Sequence, residues 1–163
     1  MLKHLVAVFA LLAVMAVPAM AQDAAEIARV KAGEPCQGCN LFQADLAYRD
    51  LAGLDVANAR LRQANLSLAT MDRANLRNTN ISVANLFGAR LTGANLSRAN
   101  LERATLVGTY LGGANLAGAN LSGANLSGAN LKTAKGLTQE QLNTACGDAS
   151  TRLPAGLSVP RCG

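Results

Sequence analysis

The chain has 163 residues and a formal net charge of +5, and 50% of its residues are apolar although only 3% are aromatic and none is Trp. Because large side chains normally fill a globular core, this interior must be built from small and aliphatic residues. Its 15 Gly and 4 Pro are too few for a collagen or a Pro-rich chain, and no stretch is charged enough for a long disordered tail.

Residues 1–21 are typical of a secretory signal peptide. A short basic start precedes an apolar run from Leu5 to Val17, which at 13 residues is too short to cross a bilayer. The small residues of Ala19-Met20-Ala21 predict cleavage before Gln22, and no Cys follows the run to carry a lipid. An uncleaved N-terminal anchor is the alternative. We expect an exported protein, periplasmic or secreted, with no membrane anchor after cleavage.

Residues 22–38 form an N-terminal cap segment in this prediction. Asp23 and Glu26 have the spacing of a capping box and predict a short helix that runs to Lys31. Cys36 and Cys39 follow as a CxxC motif.

A five-residue repeat occupies residues 39–135. Counted by central residues from Leu41 to Leu131 it comprises 19 pentads without insertion, and we number the positions of each pentad −2, −1, 0, +1 and +2. Position 0 is Leu in 16 pentads, position −2 is Ala in 14, and position −1 is Asn in 11 and Asp in three. Such self-similarity decides the architecture before local propensities do.

A period of five fits neither a helix nor a flat strand. Successive Leu residues would step by about 140° around a helix, and they would alternate between the two faces of a strand. A chain that turns a corner every five residues instead points positions −2 and 0 inward on every side. Four sides close a coil of 20 residues, and coils stack about 4.8 Å apart through backbone hydrogen bonds.

Runs such as Ala94-Asn95-Leu96 and Ala114-Asn115-Leu116 resemble the pentapeptide-repeat family, whose motif is A(D/N)LXX. The resemblance implies an all-β fold, a right-handed quadrilateral β-helix, here of about 4.75 coils and roughly 23 Å in length. Ala and Leu would fill the narrow tube. The Asn side chains at position −1 would pair with one another along the rod.

The resemblance also implies one candidate function, because cytoplasmic members of the family mimic duplex DNA and bind DNA gyrase. That mimicry needs an acidic rod. Residues 41–131 carry eight Arg against five acids, and an export signal would send the protein away from gyrase. DNA mimicry is therefore the disfavoured alternative, and we expect no nucleic-acid binding.

The first coil, residues 39–58, departs most from the repeat. Arg49 and Leu54 occupy the inward position −2, and Val56 replaces a central Leu. We expect an irregular coil with Arg49 reaching out through the open end of the tube, rather than a functional buried Arg, because an unpaired buried charge is costly.

Residues 136–163 are predicted to be a C-terminal cap helix followed by a disulfide-tied tail. Thr138 and Gln141 form a second capping box, which indicates a helix from Gln139 to Cys146. Residues 151–163 are expected to be a loop held by Cys162. Helical caps at both ends would cover the strand edges that a stacked rod leaves unpaired.

Four cysteines in an exported chain indicate disulfides. A redox-active CxxC would need a helix N-terminus, haem attachment would need a His where Asn40 stands, and a four-Cys zinc site would need two close pairs. The favoured pairing is Cys36 with Cys39 and Cys146 with Cys162, because bridged Cα atoms must lie within about 7 Å. Other pairings stay open if the tail doubles back along the rod.

One side of the predicted rod, with centres at 46, 66, 86, 106 and 126, carries outward apolar residues, namely Tyr48, Leu68, Phe87 and Val107. This is a possible interaction face for a protein partner or for self-association, and ordinary scattered apolar surface is the alternative. Elsewhere Arg side chains are interspersed with Asp72 and Glu102, which predicts a solvated surface, and no row of aromatic residues favours single-stranded nucleic acid. The Arg residues are Arg62, Arg73, Arg77, Arg98 and Arg103.

The sequence offers no catalytic constellation. Its only His, His4, would be lost on export, which excludes Ser–His and Cys–His nucleophiles. Asp45, Asp50 and Asp55 fall on successive sides of the rod and do not converge. We predict an exported structural or interaction module that is not an enzyme, with no cofactor or metal and with a partner that the sequence does not identify.

Overall fold

The structure, a computed structural model, describes residues 22–163. The predicted signal peptide and its cleavage site after residue 21 lie outside the described residues. The chain forms helix α1 (Ala24–Lys31), a long stack of coils, and helix α2 (Gln139–Asn143). No helix within residues 22–163 is long and apolar enough to cross a membrane.

The coils are right-handed and four-sided, as the sequence predicts. Each side consists of a single parallel β-bridge between position −1 residues 20 apart, from Asn40–Arg60 at one end to Asn115–Lys135 near the other. Leu96 shows the ladder that joins successive coils, since its N–H donates to the carbonyl of Asn115 at 2.8 Å.

A tight turn separates one side from the next. The N–H of Ala44 donates to the carbonyl of Leu41 at 3.1 Å, which closes a turn over residues 42 and 43. At position +2 every residue from Gly38 to Gly128 has a positive φ, between 54° and 71°. A positive φ at the second central residue is the mark of a type II turn, which favours Gly or Asn.

The core of the rod contains positions −2 and 0. All 19 central residues are at most 2% exposed, and the Ala residues at position −2 are at most 3% exposed. Thr79 and Thr109 replace Ala at two inward positions, and their hydroxyl groups donate to the carbonyls of Leu76 and Leu86 respectively. The buried polar atoms are therefore satisfied without disturbing the stack.

Backbone hydrogen bonding explains the preference for Asn and Asp at position −1. Four of the five N–H groups in a pentad bond to the turn or to a neighbouring coil, as for Ala74, Asn75, Leu76 and Asn78. The fifth, at position +1, has no backbone acceptor. In all 14 pentads with Asn or Asp at position −1, the Oδ1 atom of that residue accepts this N–H, at 3.0–3.4 Å.

The prediction that Asn side chains pair along the rod is therefore right in only a few places. Among the described residues, position −1 side chains bond between coils at Asn65–Asp45, 3.2 Å, at Asn120–Asn100, 3.1 Å, and at Asn75–Asp55. The pairing adds to the local bond and does not replace it, since the Oδ1 atoms of Asp45 and Asn100 also accept the N–H at position +1 of their own turns.

The N-terminal end is capped as predicted, with one difference. Asp23 accepts from the N–H groups of Ala25 and Glu26, but the Glu26 carboxylate does not return a bond to Asp23. It accepts instead from the N–H of Asn40 at 2.6 Å. This N–H belongs to the first strand, which has no earlier coil to bond, so Glu26 covers the strand edge.

The first coil is regular in its backbone, contrary to expectation. Its ladder begins at Cys36, whose N–H bonds to the carbonyl of Asp55, three residues before the predicted start. Leu54 is buried and Arg49 is exposed. The two side chains are accommodated without a change of coil geometry because Leu fits the interior and Arg leaves it.

Helix α2 caps the other end and is shorter than predicted, ending at Asn143 rather than Cys146. Its capping box of Thr138 and Gln141 is complete. The amide of Gln141 also donates to the carbonyls of Leu116 and Ala119, at 2.9 and 2.8 Å. The Leu116 carbonyl also accepts the N–H of Ala119 in its own turn, whereas the Ala119 carbonyl has no backbone donor from a following coil in the described chain, and there the side chain takes its place.

The C-terminal tail is more than the predicted loop. After α2 the chain rejoins the stack, where Cys146 pairs with Asn125 and Arg152 pairs with Asn130. Arg161 then pairs with Gly147 and covers the outermost edge. The spacing of these bridges is no longer 20 residues because α2 is inserted into the coil, and the pentad pattern therefore gives no sign of them.

Candidate interaction surfaces

The acidic residues of the first coil do not form a site. Asp45, Asp50 and Asp55 lie on three successive sides, and each accepts an N–H from its own turn. Within residues 22–163 no three His, Cys, Asp or Glu side chains are grouped so that they could hold a metal ion.

The four cysteines form two bonded pairs in the described chain, Cys36–Cys39 and Cys146–Cys162, with Cα atoms 5.6 and 4.8 Å apart. Cys36 and Cys39 are 2% and 5% exposed and bracket the turn at Gln37 and Gly38. Both point into the rod, after α1 has ended, rather than lying at a helix N-terminus. Such a buried pair joins the first corner of the coil and is poorly placed for thiol exchange.

The predicted interaction face is a corner of the rod rather than a flat side. We call it the apolar corner, and it consists of the turns at residues 47–48, 67–68, 87–88, 107–108 and 127–128. Tyr48, Leu68 and Phe87 are 76%, 44% and 49% exposed. Val107, predicted to belong to the same face, is half-buried. The side chain of Leu68 leans over Gly88, where an added Cβ would lie 2.7 Å from its Cδ2 atom.

Two exposed apolar residues were not singled out by the sequence pattern. Val83 is 40% exposed on the preceding corner, in the same coil as Phe87, and Tyr110 is 54% exposed on the side that follows the apolar corner. Three of the five exposed large apolar residues of residues 22–163 therefore lie on the apolar corner.

The arginines are not scattered, because five of them surround one side of the rod. We call this side the basic face. It contains the strands at Asn40, Arg60, Asn80, Asn100 and Asn120 with the turns before and after them. Its Arg residues are Arg60, Arg62, Arg77, Arg98 and Arg103, and its turns contain one acid, Glu102. Reading positions 20 apart, rather than each pentad alone, would have revealed Arg60 as the centre of this group.

A separate ion pair replaces a missing repeat residue. Arg90 stands at a −1 position, so it cannot accept the N–H of Thr92. The Asp72 carboxylate of the neighbouring coil accepts that N–H at 2.9 Å and also pairs with Arg90 at 2.8 Å. Asp72 lies on a different corner from the basic face, as Arg73 does, and the role of Asp72 is explained by the coil itself.

Two carboxylates have shifted pKa values, and both belong to the fold. Hydrogen bonds from Ser150, Gly128 and Thr151 lower the pKa of Asp148 from 3.8 to about 2. For Asp55, the backbone hydrogen bond from Ala57 lowers the pKa most, desolvation opposes it, and hydrogen bonds from the side chains of Gln37 and Asn75 lower it further. In both cases the hydrogen bonds stabilise the ionised carboxylate beside backbone donors, so the shifted pKa values have a structural rather than a catalytic cause.

Comparison with known proteins agrees with this geometry. The family model described as pentapeptide repeats matches in eight copies, over residues 39–78, 55–93, 84–116 and 94–132. No curated protein matches the chain in sequence. A pentapeptide repeat protein from the thylakoid lumen of Arabidopsis thaliana is 27% identical, with 73% of this chain and 81% of that chain covered and a TM-score of 0.60.

Two further solved structures match the chain. HetL, a pentapeptide repeat protein involved in the regulation of heterocyst differentiation in the cyanobacterium Nostoc sp. strain PCC 7120, is 31% identical over 74% of this chain and 64% of that chain, with a TM-score of 0.45. QnrB1, a plasmid-mediated fluoroquinolone resistance protein, is 22% identical over 78% and 81% of the two chains, with a TM-score of 0.32. On the family match and on the four-sided coil that it describes, the chain belongs to the pentapeptide-repeat family.

Proposed function

We propose that the protein is an exported, non-enzymatic interaction module that binds a protein partner, or a second copy of itself, through the apolar corner. The observation that carries this proposal is the clustering of Tyr48, Leu68 and Phe87 on one corner. Exposed apolar residues that lie together mark contact surfaces more often than those that lie singly.

The rigidity of the rod supports a binding role. Every coil is bonded to its neighbours, both ends are covered, and two disulfides hold the terminal segments. A surface on such a scaffold loses little conformational entropy on binding, which favours affinity per unit of area.

Export is supported by the bonded cysteines, since disulfides persist in oxidising compartments. The relative from the thylakoid lumen is another protein of a compartment outside the cytosol. The predicted signal peptide supplies the route. Mass spectrometry of the exported protein is expected to find Gln22 at the N-terminus, whereas a retained Met1 with membrane association would contradict export as a soluble protein.

DNA mimicry is the less favoured candidate. A mimic of duplex DNA must present negative charge, but one whole side of this rod carries five Arg against one acid. The charge complementarity needed to occupy a DNA-binding enzyme is thus reversed.

The apolar corner is tested by the double substitution Leu68→Ser and Phe87→Ser. If the corner is the contact surface, the purified protein is expected to self-associate in sedimentation, or to be captured with one partner from envelope extract by crosslinking. The double variant should weaken that association by tenfold or more, since two apolar anchors are lost.

The matched control is Val83→Ser with Tyr110→Ser, which removes two exposed apolar residues from other parts of the rod. This control should associate like the parent. Equal association of all three folded proteins would refute the corner as an interface, and a parent that binds nothing would leave these residues as ordinary surface.

A further inference from the structure

We propose that the basic face is a docking surface for an anionic lipid membrane, which it contacts at the headgroups without inserting. This goes beyond the proposed protein-binding role and does not depend on the apolar corner, which begins on the far side of the next strand.

The charges of this face are free to bind an external anion. Within residues 22–163 the ion pairs are Arg29–Glu34 and Arg90–Asp72, and neither involves the basic face. No side-chain hydrogen bond occupies Arg60, Arg62 or Arg98 within the described chain. Unpaired surface guanidinium groups gathered on one side produce a positive potential that attracts an anionic partner.

The acids nearby are few and do not neutralise the face. Glu102 lies in the same turn as Arg103 but forms no ion pair within the described residues. Glu26 lies at the N-terminal end, where its carboxylate is engaged by the N–H of Asn40. The other four strand side chains of the basic face are neutral Asn amides.

The distribution of the Arg residues suits a surface better than a single chain. Arg60 lies in a strand. Arg62 and Arg98 lie in the corners on either side of the face, each next to the strand of its own coil. Arg77 and Arg103 lie in the same two corners but farther from the strand. Five charges thus spread over three successive coils and both edges of a flat side. A linear polyanion would be matched by a single file of charges, which this face does not have.

Glycines in the turns of the next coil also keep the basic face flat. The Cγ atom of Arg98 lies 3.5 Å from where a Cβ of Gly118 would stand, and the Cγ atom of Arg103 lies 3.2 Å from that of Gly123. The aliphatic stems therefore rest in the space that these glycines leave in the next coil. The face has one aromatic residue, the half-buried Phe42 at its end, so a row of stacked bases is not supported.

Arginine is chemically suited to this partner. Its planar guanidinium group donates paired hydrogen bonds to phosphate oxygens, and it is weakly hydrated compared with an ammonium group. Each basic residue close to an anionic bilayer raises the partition coefficient by about fivefold. Several together give reversible binding that weakens as salt screens the charges.

The test is cosedimentation of the protein, purified after expression of the full chain, with vesicles of two compositions. One contains phosphatidylcholine mixed with phosphatidylglycerol, and the other contains phosphatidylcholine alone. Binding is expected for the anionic vesicles at low salt, with a strong loss at roughly 0.15 M salt. The triple variant Arg60→Gln, Arg62→Gln and Arg98→Gln should lose about a hundredfold in partitioning.

The matched control is the triple variant Arg49→Gln, Arg73→Gln and Arg152→Gln, which removes the same charge from other sides of the rod. It should bind within about threefold of the parent, and melting curves should show both triple variants folded. Equal losses in the two triple variants would overturn the proposal, because net charge alone would then explain binding. Equal binding to neutral vesicles, or preferential binding of soluble duplex DNA with the same Arg dependence, would overturn it as well.

Discussion

Each residue of a pentad has a distinct physical task. Positions −2 and 0 fill the tube, position −1 accepts the N–H at position +1, and position +2 adopts a positive φ. The motif of the family thus follows from backbone hydrogen bonding as much as from burial, because a coil that turns every five residues leaves one N–H without a backbone acceptor.

Val83 is the residue least suited to its position. It has a φ of 58°, a region that is strained for a β-branched side chain. We expect Val83→Gly to increase the free energy of unfolding by about 0.5–1 kcal/mol, because relief of this strain outweighs the greater entropy of the unfolded chain. Urea unfolding would measure the change.

The control for this substitution is Ala52→Gly, at position +1 of another turn, where φ is not positive. It should decrease the free energy of unfolding by about 0.4–1 kcal/mol, since only the unfolded-state entropy changes. Two losses of similar size would show that the backbone at Val83 is not strained.

The sequence predicts inward and outward residues well because a period of five constrains each pentad in the same way. It did not predict the bond between Glu26 and Asn40, because a capping-box spacing gives no information about a partner 14 residues away. It also missed Arg60, since the basic face appears only when residues 20 apart are compared. Surface groupings depend on the number of sides per coil, and the repeat must be folded before they can be seen.

At the scale of elements, both ends of the rod are closed by side chains that replace a missing coil. Glu26 accepts from the first strand, and Gln141 donates to the carbonyls of the last complete coil. Edge strands left open would allow rods to join end to end. The caps were predictable as helices from capping-box spacing in the sequence, but their hydrogen bonds to the strand edges were not.

Asp148 accepts several hydrogen bonds in the turn that follows α2. We therefore expect the stability of the C-terminal coil to depend on pH. The Oδ1 atom of Asp148 accepts from Gly128 at 3.0 Å and from the N–H groups of Ser150 and Thr151 at 2.9 and 3.1 Å. Because these bonds lower the pKa from 3.8 to about 2, the stability they give is present above pH 3.8 and is lost as the pH falls towards 2.

Melting temperatures measured between pH 5 and pH 2 would test this dependence. The Asp148→Asn variant should keep a side-chain oxygen acceptor but lose most of the slope between about pH 4 and pH 2, with a remainder from Asp55, whose pKa is also lowered. Parallel pH profiles for the variant and the parent would show that protonation of Asp148 does not control the tail.

At the scale of the whole molecule, stability is expected to grow with the number of coils. Each coil contacts only the coils before and after it, as the bridges between residues 20 apart show. The stability of such a repeat protein is approximately a sum of coil and interface contributions. A whole coil inserted in register adds one coil and one interface. An insertion of any other length moves every later residue out of alignment with the equivalent residue of the preceding coil.

A tandem second copy of residues 104–123, placed after Gly123, therefore makes a stringent test. This stretch contains no charged residue, so neither the net charge nor the Arg content of the basic face changes. The extended protein should fold, with a rod longer by about 4.8 Å in small-angle scattering and a urea m-value that rises with the added buried surface.

A copy of residues 104–121 alone breaks the pentad register, so Ala124 and the inward residues after it would no longer lie over the inward residues of the coil below. That variant should lose cooperativity or fold with much lower stability. If both insertions were tolerated equally, the stacking of like positions every 20 residues would not be what holds the rod together.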